Sequence, residues 1–189
     1  MQITSAEFVK GVVGEDEILE DGLPQIAFIG RSNVGKSSVI NTLANKKDLA
    51  RTSSFAGRTK EINLFLINKT FYLVDLPGYG FAKASVEERK TLQELIYWYL
   101  LNSDYEQRKV VLIIDAGIGL TDSDLKMLYS LEQKQKTIII VANKIDKVKK
   151  SFLKNQLKKI QEEAGEHKIF PYSAEKKIGV RELTQEILS

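Results

Sequence analysis

The chain contains no cysteine. Disulfides and thiolate metal sites are thereby excluded, which suits a reducing compartment. Its single histidine, His167, reads as an exposed loop residue rather than a catalyst. No apolar run approaches the roughly 18 residues of a membrane span, and the amino terminus, Met1-Gln2-Ile3-Thr4-Ser5-Ala6-Glu7, lacks the basic-then-apolar order of a signal peptide. A cytoplasmic location with no membrane partner is expected. There is no repeat of 20 to 50 residues, no low-complexity tract and no Pro-rich or Ser-rich linker. What is present is 189 residues with 43% hydrophobic content, enough for one domain with a sizeable core. A monomer is expected.

Net charge is only +3, yet it is unevenly spread. Glu15, Asp16, Glu17, Glu20 and Asp21 make the start acidic, whereas nine lysines lie between Lys134 and Lys159 against the single acid Asp146. Such a run is either a solvated helix face or a contact for a polyanion.

Apolar patterning orders the elements. Residues 1–24 read as an amino-terminal extension in which Phe8, Val12 and Val13 pack onto the domain, and residues 25–189 as the domain itself. A buried strand at Gln25–Ile29 precedes a helix, and Leu49 to Gly57 reads as a long loop. Glu61–Ile67 and Thr70–Asp75, joined by Asn68-Lys69, predict a hairpin. Helices follow at Ser85–Leu101, at Ser123–Gln135 with Leu125, Leu128 and Leu131 inward, at Phe152–Ala164 and at Val180–Leu188; strands follow at Val110–Asp115, Thr137–Ala142 and Lys168–Pro171. The alternation predicts an α/β fold: a mostly parallel six-stranded sheet with one antiparallel hairpin and helices on both faces. Ligands bind such sheets at the carboxyl ends of the strands.

The densest chemistry lies at the first of those ends, in Gly30-Arg31-Ser32-Asn33-Val34-Gly35-Lys36-Ser37-Ser38. The spacing of Gly30, Gly35, Lys36 and Ser37 between strand and helix is that of a phosphate-binding loop, in which glycines let backbone N–H groups turn inward and the following helix presents its positive end. Chance produces this pattern in roughly one chain of this length in a hundred. Lys36 would bridge the β- and γ-phosphates, and the Ser37 hydroxyl would ligate Mg²⁺.

Three further strand ends carry matching groups. Asp75-Leu76-Pro77-Gly78 places a carboxylate where it can hold a Mg²⁺-bound water, and the Gly78 amide where it can meet a γ-phosphate oxygen. Thr59, in the preceding loop, is the candidate for a second Mg²⁺ ligand. Asn143-Lys144-Ile145-Asp146 follows the last long apolar strand. Guanine offers N1–H and an exocyclic amine on one edge, which a single carboxylate such as Asp146 accepts together; adenine offers no such pair. Asn143 would tether neighbouring loops, Lys144 would lay its stem along the base, and Ser173-Ala174 would offer an N–H to guanine O6. A guanine nucleotide, GTP or GDP, is expected.

The order G-x-x-x-x-G-K-S, Thr, D-x-x-G, N-K-x-D, S-A resembles the translation-factor class of P-loop GTPases. Gly30 to Ser38, Ala50-Arg51-Thr52-Ser53, Gly57-Arg58-Thr59 and Asp75-Leu76-Pro77-Gly78-Tyr79-Gly80-Phe81-Ala82-Lys83 resemble the bacterial EngB family, also called YihA or YsxC, over nearly the whole chain. Phe55-Ala56, Lys60, Ala116-Gly117-Ile118 and Asn143 depart from the family pattern without removing a phosphate or guanine contact. The resemblance implies a single-domain GTPase needed for assembly of the large ribosomal subunit, with precursor particles, rRNA and ribosomal proteins as partners, and for normal cell division and septation. It also implies that Gly57, Arg58, Thr59, Leu76, Pro77 and Tyr172 line the nucleotide. Lys36, Asn33, Thr59 and Gly78 are the expected catalytic groups.

Tyr79 occupies the place where signalling GTPases carry a water-orienting glutamine, and a phenol cannot replace an amide that both donates to and accepts from water. Unaided hydrolysis is expected to be slow, of the order of 10⁻³ per second. In related GTPases an asparagine at the position of Asn33 helps hold a monovalent cation, so the resemblance implies K⁺ beside the phosphates.

Overall fold

Seven strands form one sheet in a computed structural model that describes residues 2–50, 61–80 and 85–189. In chain order the strands are β1 (Ala6–Val12), β2 (Gln25–Gly30), β3 (Ile62–Ile67), β4 (Phe71–Asp75), β5 (Gln107–Asp115), β6 (Ile138–Asn143) and β7 (Lys168–Pro171). They lie side by side as β1-β3-β4-β2-β5-β6-β7. Pairings from β4 through β2, β5 and β6 to β7 are parallel, while β1 with β3 and β3 with β4 are antiparallel. The helices are α1 (Lys36–Leu43), α2 (Val86–Tyr97), α3 (Asp122–Gln133), α4 (Lys150–Ala164) and α5 (Val180–Leu188).

The expected six strands become seven because Ala6–Val12 joins the sheet edge. It pairs with β3 from Ala6↔Ile67 to Val12↔Ile62, with a register slip between Phe8 and Lys10. That slip breaks the two-residue alternation, so Ala6 and Val12 join opposite apolar layers. The expected packing of Phe8 and Val13 fails. Val12 is buried, but Phe8 is 54% exposed and only leans on Phe65, and Val13 is exposed. The hairpin forms as expected: Asn68 and Lys69 both take positive φ (50° and 57°), the twist that a two-residue turn between antiparallel strands needs.

Strands β2, β5 and β6 are buried almost throughout, as a sheet covered on both faces requires. One apolar layer joins the sheet to α2, α3 and α4 through Ile96, Met127, Leu128, Leu131 and Ile160. The other joins it to α1 and α5 through Val39, Ile40, Leu43, Leu183 and Ile187. Helix α2 opens on a capping box between Ser85 and Glu88 and runs on into a wider turn over Trp98–Asn102, which accounts for the length of its apolar pattern. Helix α3 departs from its expected phase. Leu125 is 37% exposed, and the inward place is taken by Asp124, which is fully buried.

Among the described residues, no helix is long and apolar enough to cross a membrane. The stretch holding Phe55, Ala56, Gly57, Arg58, Thr59 and Lys60 lies outside the described residues, as do Phe81, Ala82 and Lys83.

Candidate nucleotide site

The carboxyl ends of β2, β4 and β6 and the loop after β7 converge, because parallel strands of similar length end together. Register places Phe28 beside Asp75 and Asp115 beside Asn143, so Asp75 and Asn143 flank the β2–β5 pair on its two sides. The phosphate-loop glycines are enforced by space as much as by conformation. A Cβ on Gly30 would lie 2.4 Å from the Ile113 carbonyl oxygen, and one on Gly35, at φ +93°, would lie 2.5 Å from the Asn143 amide nitrogen. Asn33 also takes positive φ (67°) and is exposed. Helix α1 begins at Lys36, so the amides of Lys36, Ser37 and Ser38 fall in its first turn, where an α-helix provides no acceptors.

Lys36 is buried, and its ammonium is bonded to the Asp75 carboxylate. Asp75 is 2% exposed. Burial pushes the pKa of its carboxyl up, against the opposing pull of Lys36. A buried carboxylate whose counter-charge is a mobile ammonium suits a hard cation. Ser37 and Asp75 supply the oxygen donors that Mg²⁺ prefers, and when bound the ion would neutralise phosphate charge. Leu76 and Pro77 are buried, with the Leu76 N–H donating to the Phe28 carbonyl at 3.1 Å.

Beyond Asp75 the chain is stitched to the phosphate loop. The Ser32 N–H donates to the Tyr79 carbonyl at 2.9 Å, and the Tyr79 N–H donates to the Gly30 carbonyl at 3.2 Å. Gly78 lies so close to that loop that a Cβ on it would sit 3.2 Å from the Ser32 nitrogen. The Tyr79 phenol donates to Asp124 at 2.6 Å. Burial and then the Asp124 charge raise its pKa well above that of free tyrosine.

At the base end, Asn143 is 2% exposed and ties two loops: its amide donates to the Val34 carbonyl at 2.9 Å, and its oxygen accepts from the Ala174 N–H at 3.2 Å. The tethering expected of Asn143 is thus visible. The Ala174 amide expected at guanine O6 is, however, already engaged, so that contact requires the bond to be shared or given up. The Lys144 ammonium reaches the Asn33 carbonyl at 2.6 Å and Asp115 at 2.9 Å, stretching its stem across the site. Asp146 accepts from the Ser173 hydroxyl, and Ser173 is buried. Tyr172 does not line the site with its side chain: it is fully buried in the layer beneath α1 and α5. Its carbonyl instead accepts from the Ile145 N–H at 3.1 Å, which fixes the loop from Asn143 to Asp146.

Two residues at the site go unnoticed in the sequence, Asp115 and Asp124. Asp115 anchors Lys144, and Asp124 gathers Tyr79 and Arg31. The signal for Asp124 was present as a helix-start pattern, Thr121-Asp122-Ser123-Asp124, with an acid three residues after the cap. His167 is partly buried against Glu132 at 2.8 Å rather than exposed.

Comparison with known proteins agrees with this geometry. The model of the 50S ribosome-binding GTPase family matches residues 25–144, and that of the elongation factor Tu GTP binding domain matches residues 107–189. A crystal structure of a probable GTP-binding protein engB shares the fold, with a TM-score of 0.73 over 87% of this chain and 96% of that one at 24% identity. The structure of Era in complex with MgGDPNP and nucleotides 1506-1542 of 16S ribosomal RNA aligns with a TM-score of 0.71 at 26% identity, covering 88% of this chain and 56% of that one. Fold and site together define a P-loop GTPase, a class that holds GTP or GDP and typically Mg²⁺. The probable GTP-binding protein EngB of Clostridium perfringens is 42% identical over 186 residues, spanning 97% of this chain and 94% of that protein. The chain belongs to the EngB family of GTP-binding proteins, and it is a GTPase.

Proposed function

We propose that this GTPase acts in the cytoplasm as a nucleotide switch in assembly of the large ribosomal subunit. The GTP form engages ribosomal RNA or precursor particles, and hydrolysis releases it. Through that role it supports normal cell division and septation. The observation that carries the reading is the stitching of Tyr79 to Gly30 and Ser32. The loop whose Gly78 amide would meet the γ-phosphate is hydrogen-bonded to the loop that cradles the phosphates, so presence of the γ-phosphate is felt by both. The matched family's description as ribosome-binding and the RNA in the Era structure support the choice of partner.

Charge supports it too. Among the described residues, Lys147, Lys149, Lys150 and Lys154 are exposed and form no salt bridge, whereas Lys158 and Lys159 pair with Glu162 and Glu163 one turn on. The turn before α4 and the first turns of the helix thus carry uncompensated positive charge, its later turns are neutralised, and Phe152 stands 62% exposed among the free lysines. Clustered lysines with an exposed aromatic suit phosphate backbone and stacked bases.

Asp75, Ser37 and Thr59 are proposed to hold Mg²⁺, and Asn33 to hold K⁺ beside the phosphates. Equal rates in potassium and sodium buffers would count against the K⁺ site. Commitment of the Tyr79 phenol to Asp124 favours slow unaided turnover, and with it the second reading of a nucleotide-gated binding module. Single-turnover hydrolysis with and without large subunits separates the two: acceleration supports the switch, and none supports the module. The switch is tested by co-sedimentation with large subunits, where a non-hydrolysable GTP analogue should retain the protein and GDP should not.

A further inference from the structure

One buried carboxylate has no part in the contacts expected of a phosphate or guanine site. Asp124 is fully buried at the start of α3 and gathers four donors. One oxygen accepts from the Thr121 N–H at 2.9 Å, the Thr121 hydroxyl at 2.7 Å and the Arg31 Nε at 2.9 Å. The other accepts from the Tyr79 hydroxyl at 2.6 Å. Four donors match in number the roughly four lone-pair sites of an ionised carboxylate, with three of them crowded on one oxygen. An acid three residues into a helix ordinarily caps it and stays wet; this one is instead the meeting point of three segments.

Two of those segments are the nucleotide loops. Arg31 immediately follows Gly30, and Tyr79 immediately follows Gly78. Their main chains run side by side as an isolated parallel bridge. Asp124 therefore grips both loops by the side chains adjacent to their phosphate-facing glycines. It also supplies the counter-charge that holds Arg31 against α3, although one guanidinium nitrogen of Arg31 is buried with no partner among the described residues. The grip is rigid on the α3 side, because Met127, Leu128 and Leu131 of the same helix are buried against the sheet.

We infer that Asp124 is a positioning residue for GTP hydrolysis, which acts through Tyr79 and Arg31 to set the placement of the Gly78 amide over the phosphate loop. GDP has no γ-phosphate for that amide to meet, so the effect is confined to GTP and to its turnover.

The test uses Asp124→Asn and Tyr79→Phe in the full chain, with fluorescent GDP and a non-hydrolysable GTP analogue for affinity and single-turnover kinetics for chemistry. Both variants are expected to lower the hydrolysis rate at least about tenfold, short of the roughly hundredfold that a 1 Å misplacement of reacting groups costs. GTP-analogue affinity should fall about fivefold, the lower end of typical coupling, while GDP affinity changes less than about twofold. The double variant should be less than additive, because the Tyr79–Asp124 bond is shared by both changes, while Asp124→Asn also loosens Arg31. If Asp124→Asn fails to fold, Tyr79→Phe alone decides, since it deletes one hydroxyl. Unchanged or faster hydrolysis in Tyr79→Phe, or equal weakening of GDP and GTP analogue, would overturn the assignment and leave Asp124 a helix cap.

Discussion

The Lys36 ammonium and the Asp75 carboxylate form an ion pair that is almost wholly shielded from water. The lysine proposed to meet phosphate and the acid proposed to hold Mg²⁺ thus neutralise each other, and a magnesium-bound triphosphate would separate them by offering each a better partner. Removing Asp75 alone leaves a buried unpaired charge, which costs about 3–5 kcal/mol. Asp75→Ala should lose about that much stability in nucleotide-free urea denaturation, and Lys36→Met added to it should restore part of the loss. Additive losses would show that the pair is not coupled.

The carboxylate proposed to read guanine, Asp146, is itself oriented. Ser173 donates its hydroxyl to Asp146, so Ser173→Ala should weaken GDP binding about fivefold, equivalent to one ordinary hydrogen bond of about 1 kcal/mol. Asp146→Asn should weaken guanine binding and favour xanthine, whose C2 carbonyl can accept from the new amide. Competition binding with the two bases reads both effects.

Asn143 joins the phosphate loop to the loop after β7. Asn143→Ala strands the Val34 carbonyl in a buried place, at a cost of about 1–3 kcal/mol. Stability and nucleotide affinity should fall together, measured by thermal melts with and without GDP. Loss of affinity with unchanged stability would mean that Asn143 acts only on ligand.

Tyrosine ionisation gives a pH test. The pKa of Tyr72 is pushed up to about 12, mainly by burial and then by its bond to Asp21. Burial also raises the pKa values of Tyr79, Tyr99 and Tyr172. A raised folded-state pKa stabilises the fold fully below the unfolded value, near 10 for tyrosine, and the benefit is lost as pH climbs through the folded value. Stability should therefore decline from about pH 10 upward. Absorbance titration should show a delayed phenolate step that moves down to the free value in denaturant.

The free lysines of α4 predict salt-dependent binding to ribosomal particles. Replacing Lys149, Lys150 and Lys154 with glutamine should reduce retention and flatten its salt dependence by up to about two units of log–log slope for single-stranded contacts. GTP hydrolysis without particles should be unaffected. Equal retention of variant and parent would remove α4 as the contact.

Much of this molecule is legible from local pattern. The hairpin was readable because Asn68 and Lys69 sit between two apolar runs, and the buried strands because Val110 to Ile114 and Ile138 to Val141 are unbroken apolar segments. The phosphate loop, Asp75 and Asn143 to Asp146 follow from spacing, since each begins at the last residue of such a strand. What escaped depended on distant partners. Ala6 to Val12 becomes a strand only because β3 offers it an open edge, and its register slip hides the alternation. Asp124 is not legible because an acid reads as solvent-facing, and its burial is made possible by Arg31, 93 positions away in the chain. Leu125, counted as inward on apolar character alone, is displaced from that phase by the same carboxylate.

Competition between GDP and ADP for the purified protein tests the central claim most directly. Selection of guanine by Asp146, on a loop tied by Asn143 to the phosphate cradle, predicts that GDP displaces a bound fluorescent guanine nucleotide while ADP at large excess does not. Equal displacement by the two nucleotides would contradict it.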